Sequence, residues 1–275
     1  ISRAVATDLY RGREMTRFFG LLMTINGLAP IISPILGSLL LEYISWKGVF
    51  VFLALIGVIV LIFSFRLKES LSVENRLQGS IFSTFLTFGV IIKNRLFMSY
   101  VGIQSFLLGS MFAYIAASPF ILQSFYGLSA FIFSLCFGAN GAALVIGANV
   151  GGKLPNRQAL AIGVFAFVVA ALYTIAVLII QPYWLFVEIG FFAMLLLMGI
   201  TFPAISTLAM ESERQYAGSA SALLGFAPFF LGGVVSPLVG IGNIFYSTSL
   251  VIWACSVLAL VIYWMIHHKI PTSAE

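Results

Sequence analysis

Val49-Phe50-Val51-Phe52-Leu53-Ala54-Leu55-Ile56-Gly57-Val58-Ile59-Val60-Leu61-Ile62-Phe63-Ser64-Phe65 is a run without a single charge, broken only by Gly57 and Ser64. Its apolar positions do not alternate, which excludes a strand with one wet face and the alternating strands, roughly ten residues long, of a membrane barrel. Read as a helix, it comes close to the ~20 residues that cross a hydrocarbon core of ~30 Å. Working outward from it, eight stretches of this kind are expected, near 17–41, 48–66, 96–120, 129–151, 160–181, 184–209, 216–241 and 245–267. The whole composition agrees. Of 275 residues, 61% are apolar and 8% charged, with a mean hydropathy of +1.10, whereas a water-soluble domain carries about a quarter charged residues. The expected fold is an all-α membrane protein. Both cysteines, Cys136 and Cys255, fall inside apolar runs and read as packing residues.

The net charge of +5 is informative through its distribution, which points to lipid rather than to nucleic acid as the partner. Arg3, Arg11, Arg13, Arg17, Arg66, Lys68, Arg76, Lys93, Arg95, Lys153, Arg157, Arg214 and Lys269 all fall on alternate connections, and Lys47 alone falls on the other set. The positive-inside rule places the first set in the cytoplasm, so both ends of this chain are expected there. The opening residues, rich in Arg, read as the end of a helix rather than as a secretory signal, and the expectation is a fragment.

An internal repeat is visible. Ala29-Pro30-Ile31-Ile32-Ser33-Pro34-Ile35-Leu36-Gly37 aligns with Gly232-Gly233-Val234-Val235-Ser236-Pro237-Leu238-Val239-Gly240 at a constant offset of 203. Six expected spans separate the copies, and an even number preserves direction, so the repeat is parallel. Six-helix parallel repeats build a large class of secondary transporters, whose halves move about a site at the midplane. On that pattern the chain divides into 1–66, a remnant of a first half (the end of helix 4, then helices 5 and 6), a cytoplasmic linker over 67–95 containing an interfacial helix near Ile81 to Ile92, and a complete second half, helices 7–12, over 96–275.

Several motifs resemble the major facilitator superfamily and, within it, the bicyclomycin-resistance (Bcr/CflA) group of drug:proton antiporters. The antiporter signature of helix 5, Gly-x8-Gly-x3-Gly-Pro-x2-Gly-Gly, is similar to Gly20, Ala29, Ser33-Pro34 and Gly37-Ser38, with every substituted position still small. Ser2-Arg3-Ala4-Val5, Tyr114-Ile115-Ala116-Ala117-Ser118-Pro119-Phe120 and Ala217-Gly218-Ser219-Ala220-Ser221-Ala222-Leu223 also resemble group patterns. Gly152-Lys153-Leu154-Pro155-Asn156-Arg157 is similar to the short cytoplasmic loop of the superfamily, with Asn156 in place of its Asp. The resemblance implies a partial major-facilitator fold and proton-coupled efflux of drug-like amphipathic compounds from the inner membrane of a bacterium. The group's coupling positions on helices 1 and 4 fall before Ile1 and are not carried over.

The residues themselves offer these candidates. Ser33-Pro34, with its counterpart of Gly232, Ser236, Pro237 and Gly240, reads as a hinge or a tight seam between halves, or as ordinary packing of a kinked helix. Glu188 is the ionisable residue that falls inside a span; it reads as a proton or cation site, or as a carboxylate wetted near the outer edge. Gln104 and Asn140 lie near mid-span and read as cavity-lining groups or as interhelical hydrogen bonds. Phe112, Tyr114, Met198, Phe226 and Phe230 are expected in an adaptable apolar pocket. Gly152, Leu154 and Arg157 mark the cytoplasmic loop.

No nucleophile–base pair, phosphate loop or metal-ligand spacing stands out, so neither an enzyme nor a cofactor is expected. Alternatives kept open are a metabolite transporter on the same fold and a non-transporting membrane scaffold or receptor.

Overall fold

A computed structural model describes residues 2–66 and 81–269; the side chains at 2, 26–31, 33–35, 38, 39, 41, 81–86 and 269 lie outside the description. Among the described residues ten α-helices follow in order: α1 Ser2–Leu9, α2 Gly12–Tyr43, α3 Trp46–Ser64, α4 Ile81–Lys93, α5 Arg95–Ser118, α6 Ala130–Gly151, α7 Asn156–Ile180, α8 Trp184–Ser212, α9 Ala217–Leu238 and α10 Ile244–Ile266. No strand occurs among the described residues. Seven of the described helical segments, those built on α3 and α5 through α10, are long and apolar enough to cross a membrane. α2 contains the whole expected span 17–41 and extends beyond it at both ends.

Local chemistry fixes the boundaries. Asn94 caps α5 by accepting from the backbone N–H groups of Leu96 and Phe97 at 3.0 and 3.2 Å. Ser129 caps α6 through the N–H of Ile132, and Asn243 caps α10 through Phe245. Each satisfies donors that a helix start leaves free. Pro119 ends the regular ladder of α5, and a π-helical turn over Pro119–Phe125 carries the helix on. α7 stops where Gln181 turns left-handed, at φ 53°, just before Pro182.

α8 is the central post, buried along most of its length and packed against α6 and α7. Glycines permit that closeness. A Cβ at Gly147 of α6 would overlap the Leu196 carbonyl oxygen of α8, and one at Gly199 would overlap the Leu144 carbonyl. Gly147 and Gly151 form a Gly-x-x-x-Gly pair, a spacing that lets two helical backbones meet in lipid. α5 packs between α9 and α10, while α2 lies along α6 and α8. No residue of α3 is buried within the chain. Cys136 and Cys255 are free thiols, both buried in the bundle.

α6, α8 and α10 end, and α5, α7 and α9 begin, at one end of the bundle, where Arg95, Lys153, Arg157 and Arg214 also gather. We call it the basic end.

Candidate functional site

A cavity of about 410 Å³ opens between α1 and α2 on one side and α5, α6, α8 and α9 on the other. Its size is that of a pocket for a drug-sized molecule. The wall is mostly apolar: Met23 from α2, Leu108 and Met111 from α5, Leu144 from α6, Phe202 from α8, and Leu224, Pro228 and Phe229 from α9 all line it. Four polar groups interrupt that surface, namely Arg3, Gln104, Tyr114 and Asn140. Among the described residues no acidic side chain lines it.

Gln104 and Asn140 therefore both face the cavity, and so does Tyr114. Asn140 is fully buried, and its Nδ2 donates to the Tyr114 hydroxyl at 2.9 Å. The Tyr114 ring is sandwiched against Phe137 and Phe191, with centroids 5.8 and 4.8 Å away. The remaining aromatic and sulfur candidates sit elsewhere. Met198 is fully buried in the helix packing and does not line the cavity. Phe112 wedges against the bare backbone of Gly232 and stands edge-on to Phe229. Phe226 and Phe230 stack on each other at 5.4 Å and are 63% and 61% exposed, turned away from the pocket. An all-apolar helix offers no polar stripe to reveal which face is inward.

Arg3, read in the sequence as a marker of the cytoplasmic side, also lines the cavity, with Nη1 donating to the Leu224 carbonyl of α9 at 3.1 Å. Glu188 stands just behind the Tyr114–Asn140 wall, 7% exposed, and neither carboxyl oxygen has a hydrogen-bond partner among the described residues.

At the basic end, α1 and α2 are tied to the later helices. Thr16 of α2 donates to Asn156 Oδ1 at the start of α7 at 2.9 Å, and its oxygen lies 3.0 Å from that of Thr207 on α8. The Gly12 N–H donates to Glu211 at 2.9 Å. Arg214 donates to the carbonyls of Thr7 and Tyr10, and Arg13 to that of Lys153. Asn156, at the position where the loop motif departs from its usual Asp, thus serves as an acceptor across this seam. Gly152 is buried at the end of α6, Leu154 packs against Ala159, Ile200 and Ala204, and Arg157 is exposed. None of these pairings follows a local spacing, so nothing in the sequence flagged Thr16, Thr207 or Glu211.

Of the helix 5 motif, Gly20 is buried, and a Cβ there would lie 3.4 Å from the Ala148 carbonyl of α6, whereas Gly37 faces open space. The side chains of Ala29, Ser33, Pro34 and Ser38 lie outside the described residues. In the counterpart, the Ser236 hydroxyl donates to the Gly232 carbonyl at 2.8 Å. Pro237 lies inside the last turn of α9, and Gly240 falls just beyond its end. Among the described residues no cluster of His, Cys, Asp and Glu suited to a metal ion is found.

Comparison with known proteins gives this arrangement its context. Residues 1–237 match the Major Facilitator Superfamily, so the chain belongs to that family of membrane proteins. It is 39% identical over 250 residues to the "Uncharacterized MFS-type transporter YdgK" of Bacillus subtilis, covering 88% of this chain and 62% of that protein. It is 25% identical over 254 residues to the "Bicyclomycin resistance protein homolog" of Haemophilus influenzae, covering 87% and 61%. Over 247 residues it is 26% identical to the "Chloramphenicol resistance protein" of Pseudomonas aeruginosa, covering 86% and 56%. The chain thus spans about six-tenths of the length of these curated relatives.

Proposed function

We propose that the chain is part of a proton-driven exporter of small amphipathic compounds, lying in the cytoplasmic membrane of a bacterium and working by alternating access. The observation that carries this reading is the cavity itself. It is drug-sized and mostly apolar, has few polar groups, and lies between helices on either side of the 67–95 segment. The relatives named for resistance to bicyclomycin and chloramphenicol support a drug-like cargo.

In this reading residues 1–66 belong to one half and 96–275 to the other, with the basic end in the cytoplasm. The bonds of Thr16, Asn156, Glu211 and Arg214 close the cytoplasmic side in the conformation described. Opening there requires them to break, and a cargo drives the exchange only to the extent that it binds the two states unequally.

The test is export of a fluorescent amphipathic dye from cells carrying the full-length gene, with and without an uncoupler. Expected is efflux that stops when the proton gradient collapses. Gradient-driven uptake of an amino acid or sugar would replace this reading with that of a metabolite transporter, and absence of any flux would favour a scaffold or receptor.

A further inference from the structure

Among the described residues one formal charge lines the cavity, that of Arg3 on α1, and a proline on the opposite helix explains where it is held. Pro228 lies inside α9 and has no N–H to offer the carbonyl four residues back, which is that of Leu224. Arg3 Nη1 donates to that same carbonyl at 3.1 Å. Arg3, Leu224 and Pro228 all line the cavity. Leu224 stands about 10 Å of helix rise from the start of α9, so the guanidinium is held within the bundle and not at its basic end.

The carbonyl explains the bond but not the charge. In membrane helices a serine or threonine hydroxyl, or a water, meets the backbone group that a proline frees. A neutral amide would serve as well. A cation within a span is costly, and it goes with a transport pathway or with a partner of opposite sign. Among the described lining residues no such partner is found: Gln104, Tyr114 and Asn140 are two amides and a phenol, and the rest of the wall is apolar. A guanidinium presents five N–H donors in a flat fork that matches a carboxylate. The Leu224 carbonyl engages only Nη1.

We propose that Arg3 is the recognition group of the cavity and that its cargo is an amphipathic anion, whose carboxylate or similar acidic group is held by the guanidinium while its rings rest on the apolar wall. The Leu224 bond fixes the direction of the fork, and Met23, Leu108, Met111 and Phe229 supply the apolar surface. A cationic compound of the same shape meets like charge and is turned away. This inference rests on the cavity being the cargo site, and it names the class of cargo.

The experiment uses the full-length protein in lipid nanodiscs and two probes with one fluorophore and one ring: N-dansylphenylalanine, an anion at neutral pH, and N-dansylphenylalaninamide, its neutral counterpart. Empty nanodiscs give the blank. The wild type should bind the anion about tenfold more tightly than the amide, the size of a hydrogen bond to a charged group. Arg3→Gln should remove the difference by weakening the anion. Arg3→Lys should keep a smaller preference, since an ammonium carries the charge without the fork. If Arg3→Gln does not fold, both substitutions are made together with Pro228→Ala, which returns an N–H to the Leu224 carbonyl, and the Gln and Lys versions are compared there. A guanidinium that only braces α9 would let both probes weaken together in the Gln version, and that result overturns the proposal. So does equal affinity for the two probes in the wild type, a preference kept by the Gln version, or binding of neither probe. The cargo reading itself is judged by dye export, and it stands if flux is seen while the preference for the anion is not.

Discussion

Gly147 and Gly199 show how much of this bundle depends on single hydrogen atoms standing where side chains would. Each faces backbone, not a flexible side chain that could yield. Gly147→Val should therefore separate α6 from α8 and cost about 3 kcal/mol or more, the upper range for overpacking a tight contact. Thermal unfolding of the purified protein in detergent measures the loss, and Gly138→Ala, which meets open space, should leave the midpoint unchanged or slightly raised. A polar group that interrupts an apolar run, as at Gln104 and Asn140, is legible in the sequence because it must find either a partner or water, and both line the cavity. The facing of Phe226 and Phe230 was not legible. There the neighbours Pro228 and Phe229 line the cavity, and one apolar residue beside another carries no mark of direction. For Arg3 the sequence spoke only of the side of the membrane it marks, and its lining position in the cavity carried no signal of its own.

Helix positions were far more legible than helix faces. The expected spans 129–151, 184–209 and 245–267 correspond to Ala130–Gly151, Trp184–Ser212 and Ile244–Ile266, since apolar length is set by bilayer thickness and read directly from composition. α2 begins earlier than expected, at Gly12, because hydropathy trims the charged turn holding Arg13, Glu14 and Arg17 although the backbone ladder continues through it. The contacts that join elements at the basic end were invisible, since Thr16 and Asn156 are far apart in sequence. They lead to an element-scale prediction. Thr16→Val and Asn156→Leu each remove one hydrogen bond holding α2 to α7, worth about 1 kcal/mol, or about fivefold in a two-state population. Spin labels at the exposed positions Arg17 and Gln158 should show a short-distance population in the otherwise native protein. In either variant a longer-distance population should grow. An unchanged distribution would remove this seam from the account of how the basic end closes. Cap loss offers a separate check: Asn94→Ala deprives two N–H groups of α5 of their acceptor and breaks a 2.5 Å bond to Glu213, and should lower stability by about 1 to 2 kcal/mol in denaturant melts.

For the whole molecule, the basic end defines an orientation that can be tested in intact cells. In the proposed topology a cysteine at Arg157 faces the cytoplasm and one at Tyr183, exposed before α8, faces outward. A membrane-impermeant maleimide should modify the second in whole cells and the first only after the cells are opened. The reverse pattern would invert the protein and, with it, the direction of transport. The two native thiols make this assay unusually direct. Cys136 and Cys255 are 7% and 4% exposed inside the bundle, out of reach of a charged reagent that does not enter hydrocarbon. Within this chain, neither thiol should add background to reporters introduced one at a time.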